Sequence, residues 1–155
     1  MKHIFLITMT LLLSLLAAPA SADNTSGYTA LGKAAYHKLL HGTTIKGEYR
    51  HMRERTKTYN FTEHHNADGT TDYTEGKIKA KGLWYTVGDD KICYKYPNEK
   101  QMGNQTSCFW VYVSEGCYYG YGLNAMTLKG PRNYNDWSAR WILSGSGNSC
   151  AAPLG

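Results

Sequence analysis

The sequence lacks the local patterns that mark several common classes of enzyme and nucleic-acid-binding protein. It has no Gly-x-Ser-x-Gly nucleophile motif and no His-Glu-x-x-His metal motif. It also shows no alternation of strands with helices, no internal repeat and no dense run of Lys or Arg. These absences argue against an α/β hydrolase, a helical zinc protease, a parallel α/β fold and a nucleic-acid-binding arm. We therefore predict no catalytic residue and no cofactor.

Cysteine is absent before Cys93, and the only long apolar run lies at the start of the chain. Residues 1–22 combine a basic start, an apolar stretch from Ile4 to Leu16 and the small-residue end Ala20-Ser21-Ala22. This pattern is typical of a secretory signal peptide, and the stretch is too short to span about 30 Å of hydrocarbon. Because residue 23 is not a cysteine, we expect no lipid anchor and no stable membrane anchor. The predicted location is periplasmic or secreted.

The predicted mature chain, residues 23–155, has the length of one domain. Removal of the signal leaves 16 basic against 12 acidic residues, a formal charge of +4. Such a mild charge permits weak attraction to anionic surfaces but does not indicate a nucleic-acid partner.

All four cysteines lie in the predicted mature chain, as expected of disulfides in an exported protein. Their gaps of 15, 9 and 33 residues do not match the close pairs of structural zinc sites. A hairpin loop at Asn98–Gln105 would set Cys93 opposite Cys108. This geometry favours Cys93–Cys108 with Cys117–Cys150 over the other two pairings.

The abundance of Tyr and Trp favours strands, and one segment alone has a convincing helical pattern. We predict this helix at Ser26–His41, with Leu31 and Leu39 in the core. The predicted strands lie at Thr43–Arg50, Thr56–His65, Thr70–Ala80 with an interruption at Gly76, Leu83–Val87, Lys91–Tyr96, Thr106–Val113 and Cys117–Tyr121. Trp137–Ile142 is predicted as a short strand or helix that docks on the sheet. The fold class is therefore mainly β, an antiparallel meander forming a small lipocalin-like barrel or half-barrel with the helix at its mouth.

Two histidine groups are candidate metal or acid–base sites. His37 and His41 are four residues apart on the predicted helix, the spacing of helical zinc ligands, but no third ligand is evident, so we predict no metal site. Glu63 and His65 would share a strand face. Because they flank a turn at Asp68, we expect them to be solvated.

Aromatic side chains on three consecutive predicted strands are the remaining candidates for binding. Most should pack across strands, and the others could line a pocket or a contact face. The candidate binding residues are Tyr94, Tyr96, Trp110, Tyr112, Tyr119 and Tyr121.

A series of short motifs suggests a family resemblance. In order, they are Gly42-Thr43-Thr44-Ile45-x-Gly47 after a helix, Asp68-Gly69-Thr70, Gly82-x-Trp84-x-x-Val87, Ile92-Cys93-Tyr94-x-Tyr96 and Cys108-Phe109. This series resembles the DUF995-like group of small exported proteobacterial proteins of unknown function over about residues 28–122. The resemblance implies a periplasmic place and a lipocalin-like sheet, and it carries over no catalytic residue.

Three hypotheses for function follow. The first is a non-enzymatic binding or interaction module of the periplasm that meets a small apolar ligand or a protein. The second is an inhibitor or envelope-defence protein that acts on a hydrolase, although the positive charge disfavours a basic lysozyme as its target. The third is a small hydrolase, which requires two carboxylates or a His–carboxylate pair to converge in a cleft.

The signal prediction can be tested on protein recovered from the periplasm. Cleavage between Ala22 and Asp23 should remove the first 22 residues, and each disulfide should remove two hydrogens. Intact-mass analysis measures both changes. A retained Met1 would contradict the export prediction, and four free thiols would contradict the predicted disulfides.

Overall fold

In the computed structural model, which describes residues 27–50, 60–100 and 104–150, the chain is mainly β with one α-helix. The predicted signal peptide and the beginning of the predicted strand Thr56–His65 lie outside the described residues. The strands are β1 (Thr29–Ala30), β2 (Thr43–Tyr49), β3 (Asn60–His65), β4 (Thr70–Glu75), β5 (Ile78–Val87), β6 (Lys91–Lys95), β7 (Thr106–Ser114), β8 (Cys117–Tyr121), β9 (Met126–Thr127), β10 (Gly130–Pro131) and β11 (Ala139–Leu143). Helix α1 (Lys33–Leu40) lies between β1 and β2, and a 3₁₀ turn (Leu123–Ala125) lies between β8 and β9.

Eight of these strands form a closed antiparallel barrel. Strands β2 to β8 pair in sequence order, and β11 fills the gap between β8 and β2. In this last strand Trp141 lies opposite Gly47 of β2 on one side and Tyr118 of β8 on the other. Of the predicted barrel or half-barrel, the closed barrel is the form that is confirmed. The predicted docking segment Trp137–Ile142 proves to supply a full barrel strand.

The predicted strand Thr70–Ala80 is two strands joined by a tight turn. Glu75 pairs with Ile78, and Gly76 between them has a φ of 58°. A glycine with positive φ at the first of two central positions is typical of a type II′ hairpin. The predicted interruption at Gly76 is therefore this hairpin turn. The separately predicted strand Leu83–Val87 is instead the second half of the ten-residue strand β5.

Helix α1 is shorter than predicted and buries a different pair of side chains. Thr29 and Ala30 pair with β7, so the helix begins only at Lys33 rather than at Ser26. Tyr36 and Leu40 are each about 1% exposed. The predicted core residues Leu31 and Leu39 are half-buried and pack against the margin of the core.

The helix covers one end of the barrel, as predicted. The hydroxyl of Tyr36 donates to the backbone oxygen of Asp90 at 3.0 Å and accepts from the backbone N–H of Val111 at 3.2 Å. The backbone N–H of Leu31 also donates to the oxygen of Val111 at 2.8 Å. These bonds tie the helix to the β5–β6 turn and to β7. The strand ends opposite α1 form the other mouth.

Two disulfides join the predicted cysteine pairs, Cys93–Cys108 and Cys117–Cys150. Cys93 and Cys108 are directly opposite on β6 and β7, as the predicted hairpin requires. Structural disulfides of this kind form in an oxidising, non-cytoplasmic compartment. Among the described residues, no helix is long and apolar enough to cross a membrane.

A second cluster of aromatic residues lies on the outer face of β7 and β8. The chain after β8 folds back over this face, and the hydroxyl of Tyr121 donates to the backbone oxygen of Tyr134 at 2.8 Å. Arg140 stacks on Trp137, 4.6 Å from the ring centroid, and forms an ion pair with Glu48 of β2. The outer cluster therefore holds the return segment against the barrel and helps to position β11.

The burial of α1 predicts unequal costs for two neighbouring leucines. Leu40→Ala removes a side chain from the closed core and should lower the free energy of unfolding by about 2–5 kcal/mol. Leu39→Ala, at the half-buried margin, should cost about 1 kcal/mol, because less apolar surface is lost. Urea denaturation of the two variants measures both values. Equal costs, or a larger cost at Leu39, would show that the helix packs through the other face.

Candidate functional site

A cavity lies inside the barrel, towards the mouth opposite α1. Its volume is about 100 Å³. This is several times the roughly 10–15 Å³ that one buried water needs, so the space suits a small organic molecule. The lining residues are Ile45, Tyr49, Phe61, Glu63, Tyr94, Tyr96, Gln105, Ser107, Phe109, Ala139 and Trp141.

The alternation of side chains along each strand positions this lining. In β3 the buried residues are Phe61, Glu63 and His65, while the residues between them are partly exposed. In β5 the buried positions are Ile78, Ala80, Gly82 and Trp84, and Lys79 and Lys81 point outward. Because successive side chains alternate between the two faces of a sheet, one buried residue fixes the direction of all its neighbours on the strand.

Glycines at three inward positions let aromatic rings lie close to the barrel wall. A Cβ atom on Gly82 would lie 2.5 Å from Cδ1 of Tyr96, and one on Gly47 would lie 2.6 Å from Cζ of Phe61. On Gly120 it would lie 2.9 Å from Cζ3 of Trp141. A strand glycine commonly marks such a close approach. All three of these rings line the cavity, so the glycines help to define its shape.

Glu63 is a buried carboxyl group in the wall of the cavity. It is 4% exposed, and its Oε1 accepts hydrogen bonds from the hydroxyls of Thr71, at 2.9 Å, and of Tyr96. No described residue donates a hydrogen bond to its Oε2. Burial raises the pKa of Glu63 to about 7, although the two hydroxyl donors oppose this shift. The carboxyl thus changes its charge near neutral pH and keeps one oxygen available.

Tyrosine hydroxyls bond the other inward-facing titratable groups. The Nε2 atom of His65 lies 2.9 Å from the hydroxyl of Tyr94, and burial lowers the pKa of His65 to about 4. The hydroxyl of Tyr73 donates to Oε2 of Glu75 at 2.6 Å and lies 3.1 Å from the hydroxyl of Tyr49. Paired in this way, buried polar groups avoid the full cost of desolvation.

Trp141 supplies a buried hydrogen-bond donor to the lining. The residue is 5% exposed, and its indole N–H has no acceptor among the described residues. Leaving a buried donor unpaired costs about 1–3 kcal/mol. In the part of the chain that the structure describes, Trp141 is the only side chain with such an atom.

The predicted aromatic candidates separate into two groups. Tyr94 and Tyr96 line the cavity. The other four lie on the outer face: Trp110, whose indole N–H donates to Asp90 at 2.8 Å, together with Tyr112, Tyr119 and Tyr121, which belong to the outer cluster. The lining residues that the sequence did not single out are Ile45, Tyr49, Phe61, Gln105, Ser107, Phe109, Ala139 and Trp141. The alternation of side chains along each strand, which separates inward-facing from outward-facing residues, was the signal that could have identified them.

The two histidine groups have different surroundings. His37 and His41 lie together on α1, with Nδ1 and Nε2 atoms 3.2 Å apart, and both rings pack against Trp84. In the described part of the chain, no group of three potential metal ligands includes them. The expectation that Glu63 and His65 are solvated is wrong. The two residues share a strand face as predicted, but barrel closure turns that face inward.

Comparisons with models of known protein families, with curated proteins and with solved structures found no match.

Replacement of Glu63 should change how stability depends on pH. The folded carboxyl keeps its proton up to about pH 7, whereas in the unfolded chain it ionises near 4.5. The folded state therefore binds more protons between these values, and the contribution of Glu63 to stability falls as pH rises through them. The free energy of unfolding of the wild type, relative to Glu63→Gln, should fall by roughly 3 kcal/mol over this window and stay constant above it.

Urea titrations from about pH 4 to pH 8 measure this difference. His65 titrates in both proteins, so its opposite contribution cancels. Asp89→Asn, at an exposed turn, is the control and should follow the wild type. A difference between wild type and Glu63→Gln that does not change with pH would show that Glu63 has the same pKa in the folded and unfolded states, which would contradict the raised pKa.

Proposed function

We propose that this protein is a non-enzymatic binding module of the periplasm or secreted space, which takes a small, mainly apolar molecule into its barrel. The observation that carries the proposal is the cavity inside the barrel, whose wall is largely aromatic. Six of the eleven described lining residues are aromatic. Ligand sites commonly combine an apolar lining with a few polar groups that fix orientation.

The barrel architecture supports this proposal. Eight strands leave an interior that side chains can just fill or that can hold one small ligand, as in lipocalins. Here the close ring–glycine contacts and the small volume favour a compact ligand. We propose a lipocalin-like relationship on this architecture and on the motif series that runs to Cys108-Phe109.

The other hypotheses have weaker support. A hydrolase would need converging acid–base groups in the cleft, and Glu63 is the only carboxyl among the described lining residues. A protein-binding Tyr-rich face would need exposed rings, but the return segment packs over the outer face of β7 and β8. The proposed location rests on the signal-like residues 1–22 and on the two disulfides.

Benzyl alcohol is a suitable test ligand because it has eight non-hydrogen atoms and a hydroxyl acceptor. We expect binding with a Kd of about 1 mM or tighter, the range for a molecule of this size. In a ¹H–¹⁵N spectrum, the indole N–H signal of Trp141 should shift on binding. Toluene should bind several-fold more weakly, because it has no hydroxyl to bond the free oxygen of Glu63.

Blocking the cavity gives the matched control. Ser107 lies at the exposed rim of the lining, so Ser107→Phe places a ring across the mouth of the cavity and should abolish binding. Ser144→Phe places the same ring on an exposed residue outside the lining and should leave binding unchanged. Equal loss in both variants, or binding that survives Ser107→Phe, would contradict a ligand in the barrel.

A further inference from the structure

The described cavity lining contains an acidic residue but no basic one. Of the eleven described lining residues, Glu63 is the only one that carries a charge, and none is Lys, Arg or His. The remaining polar side chains are neutral: Gln105, Ser107 and three tyrosine hydroxyls. An anionic ligand would therefore meet a carboxyl group with no basic residue in the described lining to offset it. A cationic ligand would meet an opposite charge.

The free oxygen of Glu63 favours a ligand that donates hydrogen bonds. Thr71 and Tyr96 both donate to Oε1, which leaves Oε2 for a donor from outside the described residues. Hydrogen bonds from a charged donor to a carboxylate are about twice as strong as neutral ones. A primary or secondary ammonium group supplies both the charge and the N–H donor, whereas a quaternary ammonium supplies only the charge.

The aromatic rings provide a second means of recognising a cation. Tyr49, Phe61, Tyr94, Tyr96, Phe109 and Trp141 surround the same space. The negative face of an aromatic ring attracts a cation, and this attraction grows when the cation has lost its water. Together, several rings and one carboxylate can offset the cost of removing an organic ammonium ion from water. The rings alone or the carboxylate alone could not offset this cost as well.

We infer that the ligand of the barrel is a small organic amine in its protonated form, with a small apolar body. Its ammonium group bonds Oε2 of Glu63 and its body packs among the rings. This inference rests on the proposed function, because it names the ligand class of the same cavity.

The test compares benzylammonium with benzyl alcohol, which has the same shape and number of non-hydrogen atoms but no charge. Titration calorimetry at about pH 8 places Glu63 above its pKa while benzylamine still carries its proton. We expect benzylammonium to bind at least about tenfold more tightly than benzyl alcohol. Benzoate, the anion of similar shape, should not bind measurably.

Two variants separate the contributions of charge and rings. Glu63→Gln keeps the shape and should bring the ratio of the two affinities to about one or below. Phe109→Leu leaves the carboxyl and its hydroxyl donors in place. It should weaken benzylammonium about three- to tenfold more than benzyl alcohol. This second variant keeps the inference testable if Glu63→Gln does not fold.

The outcomes distinguish the inference from the function on which it rests. If benzyl alcohol binds and benzylammonium binds no better, the amine inference is overturned while the proposed binding function stands. If benzoate binds most tightly, the inference is likewise overturned. If none of the three binds, both proposals fail. A preference for benzylammonium that persists in Glu63→Gln would place the cation elsewhere and would also overturn the inference.

Discussion

Closure of the barrel by β11 is the constraint on which the rest of the structure depends. This strand pairs with β8 on one side and with β2 on the other, so the sheet has no free edge within the ring of eight strands. A closed ring divides each strand into an inner and an outer face. The inner face must then bury whatever the sequence places there. Glu63, His65 and Glu75 become interior groups for this reason.

The interior meets that requirement with tyrosine rather than with a wholly apolar core. Tyr73, Tyr94 and Tyr96 each bring a large ring to the packing and a hydroxyl to a buried histidine or carboxyl. A tyrosine can thus fill space and satisfy a polar neighbour with one side chain. This explains why a chain so rich in tyrosine can hold several titratable groups inside a small barrel. It also explains why the cavity wall is both aromatic and polar.

The sequence predicts the positions of the strands and the disulfide pairing better than it predicts which face of each strand is buried. Cys93 and Cys108 could be paired because the loop after Pro97 sets the register of a local hairpin. Strand β5 is harder, since Leu83, Tyr85 and Val87 are as apolar as its buried residues, such as Ile78 and Trp84. They are among the exposed large apolar residues. Lys79 and Lys81, which share their face, carry the correct signal.

The cavity residues were missed because several come from strands far apart in sequence. Glu63 and Trp141 line the same cavity only when β11 has completed the barrel. No local sequence pattern indicates that closure. The segment around Trp141 was recognisable as apolar, but Trp141 pairs with Gly47 of β2, which lies 94 positions earlier in the sequence. Local patterns identify strands, whereas the membership of a cavity depends on which distant strands become neighbours.

The glycine–ring contacts restrict how this sequence can vary. At Gly82, a larger residue would need space that the ring of Tyr96 occupies, and a smaller residue at 96 would leave a hole above the glycine. A substitution at Gly82 alone or at Tyr96 alone should therefore lower stability, so the two positions form a coupled pair. Gly47 with Phe61 and Gly120 with Trp141 follow the same logic. Among divergent descendants of this chain, these pairs should be kept together or replaced together, and they would identify the barrel even where the rest of the sequence no longer does.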